Sequence, residues 1–191
     1  MISEQIARGV VTPAEVDLVC ALNKDRGLDQ ELHRLQLSPT QASKVSSAAV
    51  LACLGNADAR AQVLLALTSP NDDEVQIAQV YLRHHPIADV DELRVVTSGI
   101  ARMNGSAAQV RALDTLAHQP LSDPESLEEL ARLFPLAESV GVQTAIAGVL
   151  IRSDYKAIAR PEFVQTLQRH RLRSSNGADL IDVLIRRLQV Q

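Results

Sequence analysis

The residues best suited to metal chemistry in this sequence are its histidines. His84 and His85 adjoin at the end of a predicted helix, where the side chains of successive residues diverge by about 100°. A shared metal ion would require a spacing of four residues and a third ligand. Neither His33, His118 nor His170 supplies that ligand at a suitable spacing. We therefore predict no metal site and no cofactor.

The sequence contains two cysteines, Cys20 and Cys53, and both fall in apolar stretches that are predicted to be helical. A disulfide framework is typical of shorter, secreted chains with more cysteines. We therefore interpret both residues as small apolar side chains that are buried in the protein core.

Paired carboxylates occur twice, and such pairs can serve as a general acid and base. The run Asp72-Asp73-Glu74 falls in the first turn of a predicted helix, where the helix dipole favours negative charge. Glu128 and Glu129 are expected on a solvated face. The sequence has neither a nucleophile elbow nor a glycine-rich phosphate loop. We predict no catalytic residues, and only an active site assembled from dispersed residues would make this protein an enzyme.

Charge is distributed unevenly along the chain. Residues 55–150 contain six basic and thirteen acidic residues, whereas residues 151–191 contain eight basic and four acidic residues. Arg169, Arg171 and Arg173 are close enough in sequence to form a basic tip. The acidic middle and the overall net charge of −4 nevertheless disfavour nucleic acid as a partner.

The histidines, cysteines, carboxylates and arginines discussed above lie in or next to helical segments that recur along the chain. A valine followed three positions later by a small or apolar residue marks the start of each repeat, at positions 16, 45, 75, 110 and 142. Each of these segments ends at a break, and a second helical pattern follows every break. The regular spacing and punctuation predict an all-α protein of about five helix pairs.

The clearest repeat begins at Val45. Its first helix has a stripe of mostly small residues at helical spacing, so a neighbouring helix could approach it closely. The stripe consists of Val45, Ala48, Ala49, Ala52 and Cys53. Gly55 suits the left-handed conformation that ends many helices, and Asn56 or Asp58 can cap the next helix.

Other helix boundaries are marked by similar chemistry. Thr12 and Glu15 flank a proline in the pattern of a capping box, which predicts a helix start. Pro86 disfavours helical geometry at the preceding residue and therefore predicts a helix end. Asp89 or Asp91 is expected to cap the helix that follows.

Residues 48–67 (A-A-V-L-A-C-L-G-N-A-D-A-R-A-Q-V-L-L-A-L) and the corner S-P-N-D-D-E-V resemble HEAT repeats, especially the short bacterial type named after phycobilisome lyases. The shared features are an alanine-rich first helix, a Leu-Gly-Asn break and an Asp-rich corner before the next valine. The resemblance is sharp over residues 45–83 and looser to about residue 190. It implies a right-handed α-α superhelix of antiparallel helix pairs, and it carries over no catalytic residues because the family motif is structural.

No linker or low-complexity segment divides the sequence, so we predict a single HEAT-like domain over residues 1–191. Within it, residues 1–38 are expected to form an N-terminal capping pair and residues 39–173 the central repeats. Residues 174–191 are expected to form a C-terminal capping helix.

The predicted function is a non-catalytic scaffold or adaptor that binds another protein, because stacked helix pairs expose a long preorganised face. The second helices of HEAT proteins usually line the concave side. The resemblance and the basic tip therefore indicate seven candidate partner-binding residues: Arg94, Ser98, Arg132, Gln165, Arg169, Arg171 and Arg173. Two alternatives stay open: a nucleic-acid-binding HEAT-like module that uses the basic tip, and a lyase-like tetrapyrrole chaperone or enzyme.

The first eleven residues lack the basic start and apolar run of a signal peptide, and no stretch has the about 20 apolar residues of a membrane span. We therefore expect a cytoplasmic protein that does not enter a membrane.

Overall fold

The computed structural model describes four stretches of the chain, residues 11–22, 45–104, 107–172 and 179–190. These stretches form ten α-helices and two short 3-10 helices, and they contain no β-strand. The predicted all-α fold is confirmed for this part of the chain. None of the described helices has the length and apolar character needed to cross a membrane. The chain divides into two compact units, residues 1–86 and 87–191.

The first unit contains four described helices: α1 (Pro13–Leu22), α2 (Val45–Cys53), α3 (Ala57–Ala66) and α4 (Asp72–His84). Helices α1, α2 and α4 all pack against one another, and α3 packs against α2 and α4. The predicted second helix of the N-terminal pair, to about residue 37, lies outside the described residues.

The helix boundaries of the first unit follow the predicted chemistry. The backbone N–H of Thr12 donates to the Glu15 carboxylate over 3.0 Å, and the Glu15 N–H donates to Thr12 Oγ1 over 3.3 Å. This capping box starts α1. Gly55 has a φ of +96°, which only glycine adopts readily, and Asn56 Oδ1 accepts the N–H of Ala59 over 2.9 Å. The break between α2 and α3 is therefore confirmed.

Both ends of helix α4 are also determined by residues that are adjacent in the sequence. Three acidic residues, Asp72, Asp73 and Glu74, occupy its first turn, as predicted. At the other end, His85 leaves the helix with φ −131° and ψ 72°, because Pro86 follows it.

The second unit contains six described helices: α5 (Val90–Ala101), α6 (Ala107–Leu116), α7 (Pro124–Leu133), α8 (Val140–Arg152), α9 (Pro161–His170) and α10 (Leu180–Gln189). Two 3-10 helices follow α7 and α8, at Phe134–Leu136 and Tyr155–Ile158. Helix α6 packs against α8 and α8 against α10, while α5 packs against α7. These three pairs are alternate helices of the unit, and the consecutive helices α9 and α10 also pack together.

Helix α8 forms the centre of the second unit. Its apolar residues are buried almost all round the helix, because α6, α7 and α10 all pack against it. A helix that is apolar on nearly every side is generally covered by more than one neighbour. Val142, Ile146 and Leu150 each have an exposed fraction of 1% or less.

One polar residue of α8 joins several backbone segments. The fully buried Gln143 donates from Nε2 to the carbonyl oxygens of Phe134 and His170, over 3.3 and 2.8 Å. Its Oε1 accepts the N–H of Leu172 over 2.8 Å. Gln109 makes similar bonds to carbonyl oxygens at the end of α5. Both side chains therefore bond to backbone carbonyl oxygens at or just beyond helix ends.

Candidate functional site

The first unit brings its two cysteines together. Cys20 lies in the last turn of α1, and Cys53 is the last residue of α2. Because these helices pack against each other, the two Cα atoms lie 4.9 Å apart and the two sulfur atoms form a disulfide. The interpretation as buried residues is confirmed, but the expectation of two unbonded side chains is wrong. Helix packing aligned them, and cysteine number and spacing contain no information about that packing.

His85 completes a cluster with this cysteine pair. A ligand atom of each of Cys20, Cys53 and His85 lies within 4.8 Å of the other two. The His85 ring stacks on Tyr81 with a centroid distance of 5.1 Å and an interplanar angle of 24°. The His85 Nε2 atom is buried and has no hydrogen-bond partner among the described residues.

Arg60 on α3 borders the cluster. Its Nη1 donates to the Tyr81 hydroxyl over 3.0 Å and to the His85 carbonyl oxygen over 3.4 Å. Burial, together with the charges of Arg60 and His84, lowers the pKa of His85 below its usual value, which favours the neutral ring. A cavity of about 350 Å³ lies beside these residues and is lined by Cys53, Arg60, Tyr81, His85 and residues of the α2–α3 turn.

Sequence reasoning missed this cluster because it compared the histidines only with one another. The available signal was positional: Cys20, Cys53 and His85 stand at or near the C-terminal ends of α1, α2 and α4. His84, in contrast, turns away and contacts Asp17 of α1 over 2.7 Å. The two adjacent histidines therefore have different partners, as their divergence on a helix predicts.

The second unit contains an open groove of about 590 Å³ between α7 and α9. It is lined by Glu128, Ala131, Arg132, Pro135, Arg160, Glu162, Phe163 and Thr166. Ala131, Pro135 and Phe163 give it an apolar component, and the charged side chains give it a polar rim. The next residue after Pro135 is Leu136, whose exposed fraction is 74%.

The charged residues of the groove differ in how strongly they are paired. Arg160 donates to the Glu128 carboxylate over 2.6 Å. Arg132 lies 3.6 Å from Glu129 on its own helix, and 69% of its side chain is exposed. An exposed pair at that distance contributes little free energy. Arg132 is therefore the less tightly held of the two arginines in the groove.

The other predicted residues on the second helices have varied surroundings. Gln165 and Arg169 are exposed on α9, the helix that forms one wall of the groove. Ser98 is half-buried on α5, away from the residues that line the groove. Of the seven candidates, the groove itself contains Arg132.

Arg94 is engaged within its own unit. Its Nε and Nη2 donate to the two Asp123 carboxylate oxygens over 3.0 and 2.9 Å, and its Nη1 lies 3.1 Å from Glu125. Asp123 also caps α7 by accepting the N–H of Ser126 over 3.0 Å. The bidentate bond from Arg94 holds the pKa of Asp123 well below its usual range. Arg94 thus joins α5 to the start of α7.

Arg171 is also engaged internally. It follows α9 and forms ion pairs with Asp179 and Asp182 at the start of α10. Its Nη2 lies 3.1 Å from the Asp179 carboxylate. These bonds raise the pKa of Arg171 and lower that of Asp182. Arg173 lies outside the described residues, so of the predicted basic tip Arg169 is the described residue that is exposed.

No protein-family model, curated protein or solved structure matches this chain. The assignment to the HEAT repeats stays a prediction, and the function is inferred from the surfaces described above.

Proposed function

We propose that this protein is a non-catalytic adaptor of the HEAT-like type, a right-handed superhelix that binds a segment of another protein in the groove between α7 and α9. The observation that carries the proposal is the position of this groove. It lies between two second helices of the predicted repeats, where the resemblance to HEAT proteins locates partner contacts. A stacked array of helix pairs preorganises such a surface at little entropic cost.

The lining residues define the chemistry of the partner segment. Ala131, Pro135 and Phe163 offer apolar contacts to one bulky aliphatic or aromatic side chain. Arg132 lines the same groove, and Arg169 lies three residues beyond Thr166, on the same face of α9. Within the groove Glu128 is paired with Arg160. Arg132 and Arg169 therefore stand against the one further carboxylate of the lining, Glu162. This balance favours a segment whose anchor side chain is followed or preceded by a carboxylate on the side of Arg132 and Arg169.

The proposal can be tested by selecting ligands from a displayed random peptide library with the purified protein. We expect the enriched peptides to combine one bulky apolar residue with a neighbouring Asp or Glu. Arg132→Glu should weaken the binding of such a peptide by about tenfold, measured by fluorescence anisotropy, because one charge pair is lost and a repulsion is added.

Two controls sharpen this experiment. Arg102→Glu makes the same charge change at an exposed position after α5 and should leave affinity unchanged. A peptide in which the acidic residue is replaced by lysine should bind Arg132→Glu better than it binds the parent protein. Equal losses in the Arg132 and Arg102 variants, or a library without enriched apolar-acidic peptides, would contradict the proposed site.

A further inference from the structure

The cluster in the first unit lies outside the proposed adaptor function. We infer that Cys20, Cys53 and His85 bind a Zn²⁺ ion when the disulfide between the two cysteines is reduced. The site would hold the ion by two thiolates and one imidazole nitrogen, and it would be closed to metal in the disulfide form.

The ligand set and its spacing suit zinc. Thiolate sulfur and imidazole nitrogen are the ligands that Zn²⁺ prefers, at about 2.3 and 2.0–2.1 Å, so ligand atoms around one tetrahedral ion lie about 3.5–4 Å apart. In the disulfide form the ligand atoms of the three residues lie within 4.8 Å of one another, and the two sulfur atoms are bonded. After reduction the sulfur atoms would separate to the spacing that the ion requires, while the packing of α1, α2 and α4 keeps the three residues close together.

The surroundings of His85 point to a missing ligand for its ring. A buried polar atom without a partner costs free energy, and native proteins rarely retain one. His85 Nε2 is such an atom within the described part of the chain. The stacked Tyr81 ring holds the imidazole, and Arg60 anchors the His85 backbone through its carbonyl oxygen. These two contacts limit the movement of the ring and of its backbone.

The cavity beside the cluster provides both access and a fourth position. Cys53 and His85 themselves line this space of about 350 Å³, although Cys20 and Cys53 are buried. Three protein ligands leave one tetrahedral position, which a water molecule or a small exogenous ligand can occupy from the cavity.

Oxidation state decides whether the site exists. In the disulfide the two sulfur atoms are bonded to each other, and neither is the thiolate that a metal requires. A dithiol reductant supplies two electrons and two protons: its own thiols become a disulfide, and the Cys20–Cys53 bond becomes two thiols. Zn²⁺ then displaces the two thiol protons to solvent as it binds.

The inference is tested on the full chain in both oxidation states. A trialkylphosphine reduces the disulfide, taking oxygen from water as it becomes the phosphine oxide, and is then removed without admitting air. Competition with a chromogenic chelator should show one tightly bound Zn²⁺ per reduced chain and none per oxidised chain. Co²⁺ in place of Zn²⁺ should give thiolate-to-metal charge-transfer bands and intense tetrahedral d–d bands.

The adjacent histidines supply a matched pair of variants. His85→Ala should weaken Zn²⁺ binding by more than the roughly 10- to 100-fold that loss of an outer-shell partner costs. His84→Ala, which removes the contact with Asp17, should leave binding as in the parent. Circular dichroism establishes that each variant is folded.

The double variant Cys20→Ser/Cys53→Ser keeps the inference testable if His85→Ala does not fold. It forms neither a disulfide nor a thiolate pair, so the charge-transfer bands of Co²⁺ should vanish. The inference is overturned if the reduced parent binds Zn²⁺ no more tightly than this double variant. It is equally overturned if folded His85→Ala binds as tightly as the parent.

Discussion

Arg169 and Arg171 stand two positions apart at the end of α9, and their surroundings are opposite. Arg169 is exposed, whereas Arg171 is half-buried between Asp179 and Asp182 of the next helix. Sequence proximity suggested that both would form one basic surface. The residues that neutralise Arg171 lie eight and eleven positions later, so its pairing depends on how α10 returns to α9.

This difference predicts unequal effects of the same substitution. Arg171→Gln should lower the free energy of unfolding by about 1–3 kcal/mol, because hydrogen bonds to charged groups are lost and two carboxylates remain without their cation. Arg169→Gln, the matched control, should stay within about 0.5 kcal/mol of the parent. Urea unfolding of the three proteins checks this, and equal stabilities would contradict the structural role of Arg171.

The Arg94–Asp123 pair predicts a pH dependence of stability. Arg94 lowers the pKa of Asp123 in the folded protein below its value in the unfolded chain. The contribution of this pair to the free energy of unfolding is therefore complete above the unfolded pKa, at about pH 4, and is lost as the pH falls through the folded pKa. Asp123→Asn should therefore be less stable than the parent by about 1–3 kcal/mol at pH 7, and by less at pH 3.

Chemical unfolding at the two pH values measures this effect. Glu138→Gln is a suitable control, since it neutralises an exposed carboxylate just before α8. If the stability difference between the parent and Asp123→Asn instead grows as the pH is lowered, the predicted direction of the pH dependence is wrong.

At the scale of whole helices, boundaries set by neighbouring residues were predictable, whereas helix ends bonded by distant side chains were not. Asn56 and Asp89 cap helices through bonds that span three residues, so their roles are visible in the local sequence. Gln143, in contrast, donates hydrogen bonds to the carbonyl oxygens of Phe134 and His170, which are 9 and 27 residues away in the sequence. The members of the Cys20–Cys53–His85 cluster likewise meet only after three helices have packed.

Substitution of Gln143 tests whether these long-range hydrogen bonds stabilise the fold. Gln143→Met keeps a similar shape but leaves the His170 carbonyl and the Leu172 N–H without this partner. We expect a loss of about 1–3 kcal/mol in the free energy of unfolding, because each lost hydrogen bond contributes about 0.5–1.5 kcal/mol and these backbone groups are only partly buried. Gln165→Met makes the same change at an exposed position of α9 and should have little effect on the melting temperature. Similar melting temperatures for both variants would show that the hydrogen bonds of Gln143 do not stabilise the fold.

Small residues at helix contacts yield another element-scale prediction. Ala78 is fully buried on α4, which packs against α1, α2 and α3, as the apolar stripe of the repeat predicts. Ala78→Leu should overpack this contact and lower the free energy of unfolding by about 1–3 kcal/mol. Ala61→Leu adds the same atoms at an exposed position of α3 and should be nearly neutral in thermal unfolding. A neutral Ala78→Leu would show that the repeat register is wrong.

At the scale of the whole molecule, charge weighs against a nucleic-acid ligand. The net charge is −4, and the ion pairs of Arg171 remove one cation from the proposed basic tip. A duplex binder needs several cations that can each neutralise a phosphate. We therefore predict that mixed-sequence DNA or RNA binds more weakly than about 100 μM at about 0.15 M salt.

Fluorescence anisotropy with labelled duplexes checks this prediction, with Arg169→Glu/Arg173→Glu beside the parent. Micromolar affinity that collapses in the double variant would replace the adaptor proposal with nucleic-acid binding. Arg102→Glu controls for a general effect of net charge, because it lies outside the predicted tip.

The bond between Cys20 and Cys53 also changes the covalent topology of the chain. With a sequence separation of 33, it closes a ring whose loop-closure entropy is worth about 3–4 kcal/mol to the folded state. A single backbone cut inside that ring leaves both pieces tethered, whereas the same cut in the reduced chain separates α1 from α2. Oxidation therefore keeps α1 linked to α2 after one proteolytic cut between Cys20 and Cys53.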